Sequence, residues 1–133
     1  MLPADIRLHK KTAVLELIYP DASSYKLPAE LLRVYSPSAE VRGHGHGQGQ
    51  EVLQTGKRDV KLSKIEPVGH YGVKLHFDDG HNTGIYTWDY LRELAVDQQK
   101  LWEQYLQRLQ AAGARREPLG AEVQVVNIMP LKH

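Results

Sequence analysis

The stretch Tyr71-Gly72-Val73-Lys74-Leu75-His76-Phe77-Asp78-Asp79-Gly80-His81-Asn82-Thr83-Gly84-Ile85-Tyr86-Thr87-Trp88-Asp89-Tyr90-Leu91 decides the fold. Its first half alternates. Tyr71, Val73, Leu75 and Phe77 fall on one face of an extended chain, with Lys74, His76 and Asp78 on the other. Asp79-Gly80 signals a tight hairpin turn, because glycine accepts the positive φ such turns need. Thr83 to Tyr86 reads as a short returning strand. Thr87 then serves as N-cap for a helix starting at Trp88, and Asp89 suits its first turn. Leu91 and Leu94 give that helix an apolar side. Trp88 and Leu91 are expected in the core, over the open face of the hairpin.

The flanking sequence extends this pattern. Ile6 to His9 and Ala13 to Tyr19 read as two strands joined by a polar turn. Pro20 to Ser24 is a second turn cluster, and Tyr25-Lys26-Leu27 can pair again. Pro28 suits the first turn of a short helix, Ala29 to Val34, since its missing N–H would find no partner there. Pro37 stops regular structure. Val60 to Ile65 alternates as a strand, ended by Pro67 and Gly69. Downstream, Asp97 is a second N-cap, and Leu101, Tyr105 and Leu109 recur every fourth residue. Gly113 is the natural end of that helix. The expectation is an α+β domain over residues 1–113: a small antiparallel sheet of hairpins, a short helix after Leu27 and two C-terminal helices. Residues 114–133 are expected to form a poorly ordered tail.

Composition narrows the function. With 17 basic and 16 acidic residues the net charge is +1, so nothing draws the chain toward nucleic acid or an anionic membrane. There is no cysteine, which excludes disulfides, thiolate metal sites and thiol nucleophiles. No apolar run approaches the roughly 20 residues that span a bilayer. The start of the chain lacks the features of a signal peptide, and the expected compartment is the cytoplasm.

Few motifs carry chemistry. Neither a phosphate-binding fingerprint nor a Gly-x-Ser-x-Gly elbow occurs. His76-Phe77-Asp78 matches half of an iron-binding facial triad, but an exposed hairpin face explains both polar residues, and the chain is short for the jelly roll that houses such sites. Residues 43–50 read Gly-His-Gly-His-Gly-Gln-Gly-Gln. His44 and His46 place two imidazoles in a glycine-rich loop that can chelate Zn²⁺, Ni²⁺ or Fe²⁺ weakly. A third ligand must come from His81, Glu40 or another protein.

The stretches Leu27 to Val41 and Val73 to Leu91, with the opening hairpin, resemble the gamma-butyrobetaine hydroxylase-like N-terminal domain family. The similarity spans roughly residues 5–95, and the spacing of the Asp-Gly-His turn, Trp88 and Leu91 carries it. In the carnitine-pathway hydroxylases such a domain is an accessory to an iron- and 2-oxoglutarate-dependent catalytic domain; similar domains occur alone in bacteria or attached to ATPases of iron–sulfur assembly. The resemblance implies a zinc site of three cysteines and one histidine, whose positions align with Ser36, Ser38, Val41 and His81. Serine hydroxyls and a valine cannot replace thiolates on zinc. The site is therefore expected to be absent, or rebuilt around His81 with His44 and His46.

The leading expectation is a non-enzymatic, bacterial accessory domain that binds a protein partner, linked to iron-dependent or iron–sulfur metabolism only by family analogy. Arg33, Tyr35, Ser36, Ser38 and Glu40 are the candidate partner-binding residues. No tightly bound cofactor is expected, nor nucleic acid or membrane as partner; a homodimer is compatible with the sequence. The alternative is a metal-binding protein using His44, His46 and His81, and a stand-alone iron oxygenase ranks last.

Overall fold

The structure, a computed structural model, describes residues 2–42 and 52–118. Among the described residues six strands form two antiparallel sheets of three, where the sequence suggested one. Strands β1 (Asp5–His9), β2 (Val14–Ile18) and β3 (Ser24–Pro28) follow in order as a meander. The second sheet orders β4 (Leu62–Val68), β5 (Gly72–Phe77) and β6 (Ile85–Thr87). Helix α1 (Ala29–Val34) leaves β3 directly, and α2 (Ala39–Arg42) is a single turn after Pro37. Helices α3 (Trp88–Val96) and α4 (Gln98–Ala112) close the fold.

Alternation works as the pattern predicts where both faces are decided. Leu15 and Leu17 of β2 are fully buried, as are Leu75 and its face-mates Val73 and Phe77 of β5. Tyr71 departs from the pattern: it lies in the turn before β5 and is exposed. β4 begins later than expected and runs through Pro67, opposite Val73. An edge strand tolerates proline because the missing N–H costs no ladder bond on its open side. A Cβ at Gly72 would run into the Tyr86 backbone of β6, so glycine is required where these strands meet.

The core joins both sheets, α1 and α3. All six residues of α1 are buried, including Glu30 and Arg33. Thr87 caps α3 as expected, its Oγ1 accepting from the Tyr90 amide at 3.1 Å. Leu91 is a core residue, but Trp88 is half-buried at the rim, where its Nε1 donates to the His70 carbonyl at 2.8 Å. Trp88 thus pins the β4–β5 turn, and its truncation should cost less than the about 3–5 kcal/mol of a fully buried tryptophan. Asp97 sits at the α4 N-cap, yet its side chain makes no cap bond; the residue also ends α3, and its φ and ψ are not those of an extended cap. Gly113 ends α4 in the left-handed region at φ 64°.

Beyond Gly113 the described chain stays on the fold. The Arg115 and Arg116 carbonyls accept from the Gly56 and Arg58 amides at 2.9 Å each. Arg116 grips the buried Glu30 carboxylate with two bonds of 2.9 and 2.7 Å, and its guanidinium lies 4.9 Å from the Trp102 ring centre. Residues 119–133, the rest of the expected tail, lie outside the described residues.

Arg116→Ala leaves the Glu30 carboxylate buried without its cation. Removing one partner of a fully buried pair costs about 3–5 kcal/mol; Arg116 keeps a third of its side chain in water, so about 2–3 kcal/mol is expected. The urea midpoint of Arg116→Ala should fall accordingly, and adding Glu30→Gln should recover most of the loss.

Candidate functional site

The segment after α1 meets the β5–β6 loop in one polar cluster. Ser36 lies just before Pro37, and Ser38 starts the α2 turn, its carbonyl accepting from the Val41 and Arg42 amides at 3.0 and 2.9 Å. Its Oγ accepts from the Glu40 amide at 3.2 Å and meets Thr83 Oγ1 at 2.7 Å. Opposite, the Asp79-Gly80 turn brings His81 back against Phe77, whose amide donates to the His81 carbonyl at 3.0 Å. The His81 ring is buried, with Nε2 2.8 Å from Ser36 Oγ and Nδ1 3.2 Å from the Glu40 carboxylate.

Proton positions follow from chemistry. Carboxylate Glu40 can only accept, so Nδ1 carries the proton of a neutral ring and Nε2 accepts from the Ser36 hydroxyl. Ser36 Oγ in turn accepts from the Ser38 amide at 3.3 Å. Every donor in this chain of bonds finds an acceptor with His81 neutral. Burial and the nearby Arg33 guanidinium lower the His81 pKa, against the opposing pull of Glu40 and Asp79.

Asp79 anchors the same turn. It accepts from Arg33 Nε at 2.9 Å, from Lys57 Nζ at 2.6 Å and from the His81 amide at 3.2 Å. Burial alone would raise its pKa, but Lys57, the His81 amide and Arg33 outweigh burial and hold it at about 2. The expected partner-binding residues divide accordingly. Arg33, Ser36 and Ser38 are buried and bonded inward, Tyr35 is half-buried, and Glu40 is exposed.

Ser36, His81 and Glu40 share the connectivity of a nucleophile–base–acid triad, Oγ to Nε2 and Nδ1 to carboxylate. The exposure is inverted for catalysis. Ser36 is 1% exposed, with Gly84 packed against its hydroxyl, while the Glu40 side chain is 62% exposed. Nor does the cluster fit zinc. Its donors are two hydroxyls bonded elsewhere and one imidazole with both nitrogens engaged, and Val41 offers only carbon. Among the described residues no group of three histidines and carboxylates converges to hold a metal ion. His44 and His46 lie outside the described residues. The half-triad does not converge either: His76 Nε2 meets Glu66 at 2.8 Å, while Asp78 accepts from the Lys61 amide at 3.0 Å.

A pocket of about 420 Å³ opens beside the cluster, between α3, α4 and the residues on either side of α2. Its floor includes Val34, Leu94 and Leu101, and its walls carry Tyr35, Tyr90 and Tyr105. All three hydroxyls donate to backbone carbonyls: Tyr35 to Leu101 at 2.6 Å, Tyr90 to Tyr35 at 2.5 Å and Tyr105 to Gln54 at 2.7 Å. Burial raises all three tyrosine pKa values, Tyr105 to about 12. Among the described residues, Arg42, Glu93 and Arg108 are the charged lining residues. Sequence reading named two of its lining residues, Tyr35 and Ser36, as partner-binding candidates, but not the pocket itself. Its described lining comes from five separate stretches, and beyond those two residues only the i, i+4 spacing of Leu101 and Tyr105 hinted at a shared face.

The family model described as gamma-butyrobetaine hydroxylase-like, N-terminal, matches residues 6–92. The chain belongs to this family. It is similar to two proteins with NMR solution structures. One is 51% identical with a TM-score of 0.77, over 93% of this chain and 96% of that one. The other is 47% identical with a TM-score of 0.74, over 95% and 93%. A crystal structure of a protein of unknown function from Acidithiobacillus ferrooxidans, described as belonging to the DUF971 family, is 42% identical over 70% of this chain and 91% of that one, with a TM-score of 0.58. No curated protein matches the chain. Among the described residues no helix is long and apolar enough to cross a membrane.

A Cβ at Gly84 would lie 2.5 Å from Ser36 Oγ. Gly84→Ala should therefore break the Ser36–His81 bond and destabilise by about 1–3 kcal/mol. Ser36→Ala, which strands His81 Nε2, should cost about as much. Because both changes break one bond, the double variant should lose clearly less than the sum, as read by denaturant midpoints.

The lowered His81 pKa fixes a pH dependence. The unfolded chain takes up a proton near pH 6.5, its ordinary value, while the folded ring stays neutral to lower pH. This contribution is whole above about pH 6.5 and shrinks as pH falls toward the folded pKa. Urea midpoints between pH 7.5 and 5 should decline more steeply for the natural protein than for His81→Gln; equal slopes would remove His81 as the cause.

Proposed function

We propose that this protein is a non-enzymatic binding module that docks a protein partner at the pocket between α3, α4 and α2. The observation that carries the reading is the contrast between two neighbouring sites. The Ser36–His81 cluster is closed and internally satisfied. Among the described residues the pocket beside it is uncovered, apolar at its floor and framed by tyrosines, and Arg42 and Arg108 are exposed at its edge. Aromatic residues and arginine are enriched where proteins recognise one another. In this reading the cluster holds no resident zinc, and any weak binding of Zn²⁺, Ni²⁺ or Fe²⁺ at His44 and His46 is incidental to it. A setting in iron-dependent or iron–sulfur metabolism, inside the cytoplasm, is the family analogy's contribution to the proposal.

A partner captured from cell extract and then purified should protect the amides of Tyr35, Leu53 and the α3–α4 junction from exchange. The paired change Arg42→Gln and Arg108→Gln should weaken its binding at least tenfold, while Ile85→Ser on β6, outside the pocket, should not. Protection confined to β6 or to the β4–β5 turn would place recognition elsewhere.

A further inference from the structure

Resting on the docking reading above, we propose that the pocket takes an acidic–hydrophobic peptide segment of the partner, carboxylates at Arg42 and Arg108 and a leucine- or phenylalanine-sized side chain on the floor. The argument is one of remaining hydrogen-bond capacity. Each wall tyrosine has one hydroxyl proton, and all three are spent on backbone carbonyls. The tyrosines therefore offer a ligand ring surface and no further donor, and their hydroxyl oxygens can still accept. Strong donors at the mouth then come from the two guanidiniums, which can donate and never accept. The Arg42 guanidinium carbon lies 5.0 Å from the Tyr90 ring centre, within cation–π range, and its five N–H groups exceed what the Tyr90 side chain can engage. Arg108 stands beside the Tyr35 hydroxyl, where its charge opposes the rise that burial gives that group.

Against these two cations the described lining residues set one carboxylate, Glu93. The balance favours an anion, and planar guanidiniums pair carboxylates with two parallel bonds. The floor, formed by Val34, Leu94 and Leu101, gives nothing to a bare anion but rewards an apolar group beside it. At about 420 Å³ the pocket is within the range of ligand sites and admits one or two side chains, not a folded surface. With three charges among its described lining residues, the mouth shows no stripe of cations there to follow a nucleic-acid backbone.

The test uses the whole protein and defined probes, followed by amide and side-chain NMR shifts. The first probe is a capped tetrapeptide with leucine and phenylalanine between two glutamates. The second has both glutamates replaced by glutamine. The third is 3-phenylpropionate, and the fourth is inorganic phosphate. The acidic peptide should shift Tyr35, Tyr90 and Leu101, and the glutamine peptide should bind at least tenfold more weakly. Arg42→Gln with Arg108→Gln should remove that difference; both residues are on the surface, and the variant's unshifted spectrum elsewhere shows that it folds. Equal binding of the two peptides overturns the proposal. So does 3-phenylpropionate binding as tightly as the acidic peptide, which would mark a small-acid site, or phosphate giving the same shifts, which would mark a bare anion site. If no peptide binds while a protein partner still protects the pocket, the proposed chemistry falls and the docking reading stands. If neither occurs, both fall.

Discussion

A short helix with every residue buried is the constraint around which this fold is arranged. Helix α1 carries Glu30 and Arg33 into the interior, and it ends where its last carbonyls have no helical partners. A buried charge or carbonyl without a partner costs several kcal/mol, so the surrounding elements must supply partners. Arg116 reaches back from beyond α4 to Glu30, and Asp79 comes from the hairpin turn to Arg33. The Tyr86 hydroxyl of β6 caps the Leu32 carbonyl at 2.5 Å, and Tyr90 of α3 caps Tyr35. Burial pushes the Tyr86 pKa strongly upward, which keeps it a donor at any ordinary pH. Four distant segments are thereby tied to one turn and a half of helix.

Much of this was legible in the sequence because it rests on local rules. Thr87 before an apolar stripe, Gly113 after one, and Val73, Leu75 and Phe77 at alternate positions each encode their structure within a few residues. Tyr71 broke the alternation because a face pattern says nothing about where pairing begins. Trp88 was placed too deep, since its size signals burial while its indole N–H needs an edge position near a carbonyl. The division into two sheets, the grip of Arg116 on Glu30 and the pocket depend on contacts 46 to 86 residues apart, which no local pattern records.

The same logic separates the two neighbouring sites. Ser36, Ser38 and His81 converge as the resemblance implies for the family's ligand positions, so the sequence located that cluster. Its role could not be read from position alone. Hydroxyls in place of thiolates bond directly to His81 and Thr83, and they tie the α1–α2 segment to the β5–β6 loop without needing an ion. The triad-like connectivity follows from that tie, with the hydroxyl sealed and the acid at the surface. Fixing this wall also fixes Tyr35 and Val41, which line the adjoining pocket. A closed cluster thus supports an open one, and the binding reading draws on both.

The state of the His81 ring tests this account most directly. Long-range nitrogen–proton NMR spectra at pH 7 distinguish the two neutral tautomers, the charged ring and a metal-bound ring. The hydrogen-bonded cluster predicts a neutral ring protonated at Nδ1, with the same spectrum before and after treatment with a strong chelator. A ring protonated at Nε2, or nitrogen shifts of a metal-bound imidazole that chelation abolishes, would contradict it.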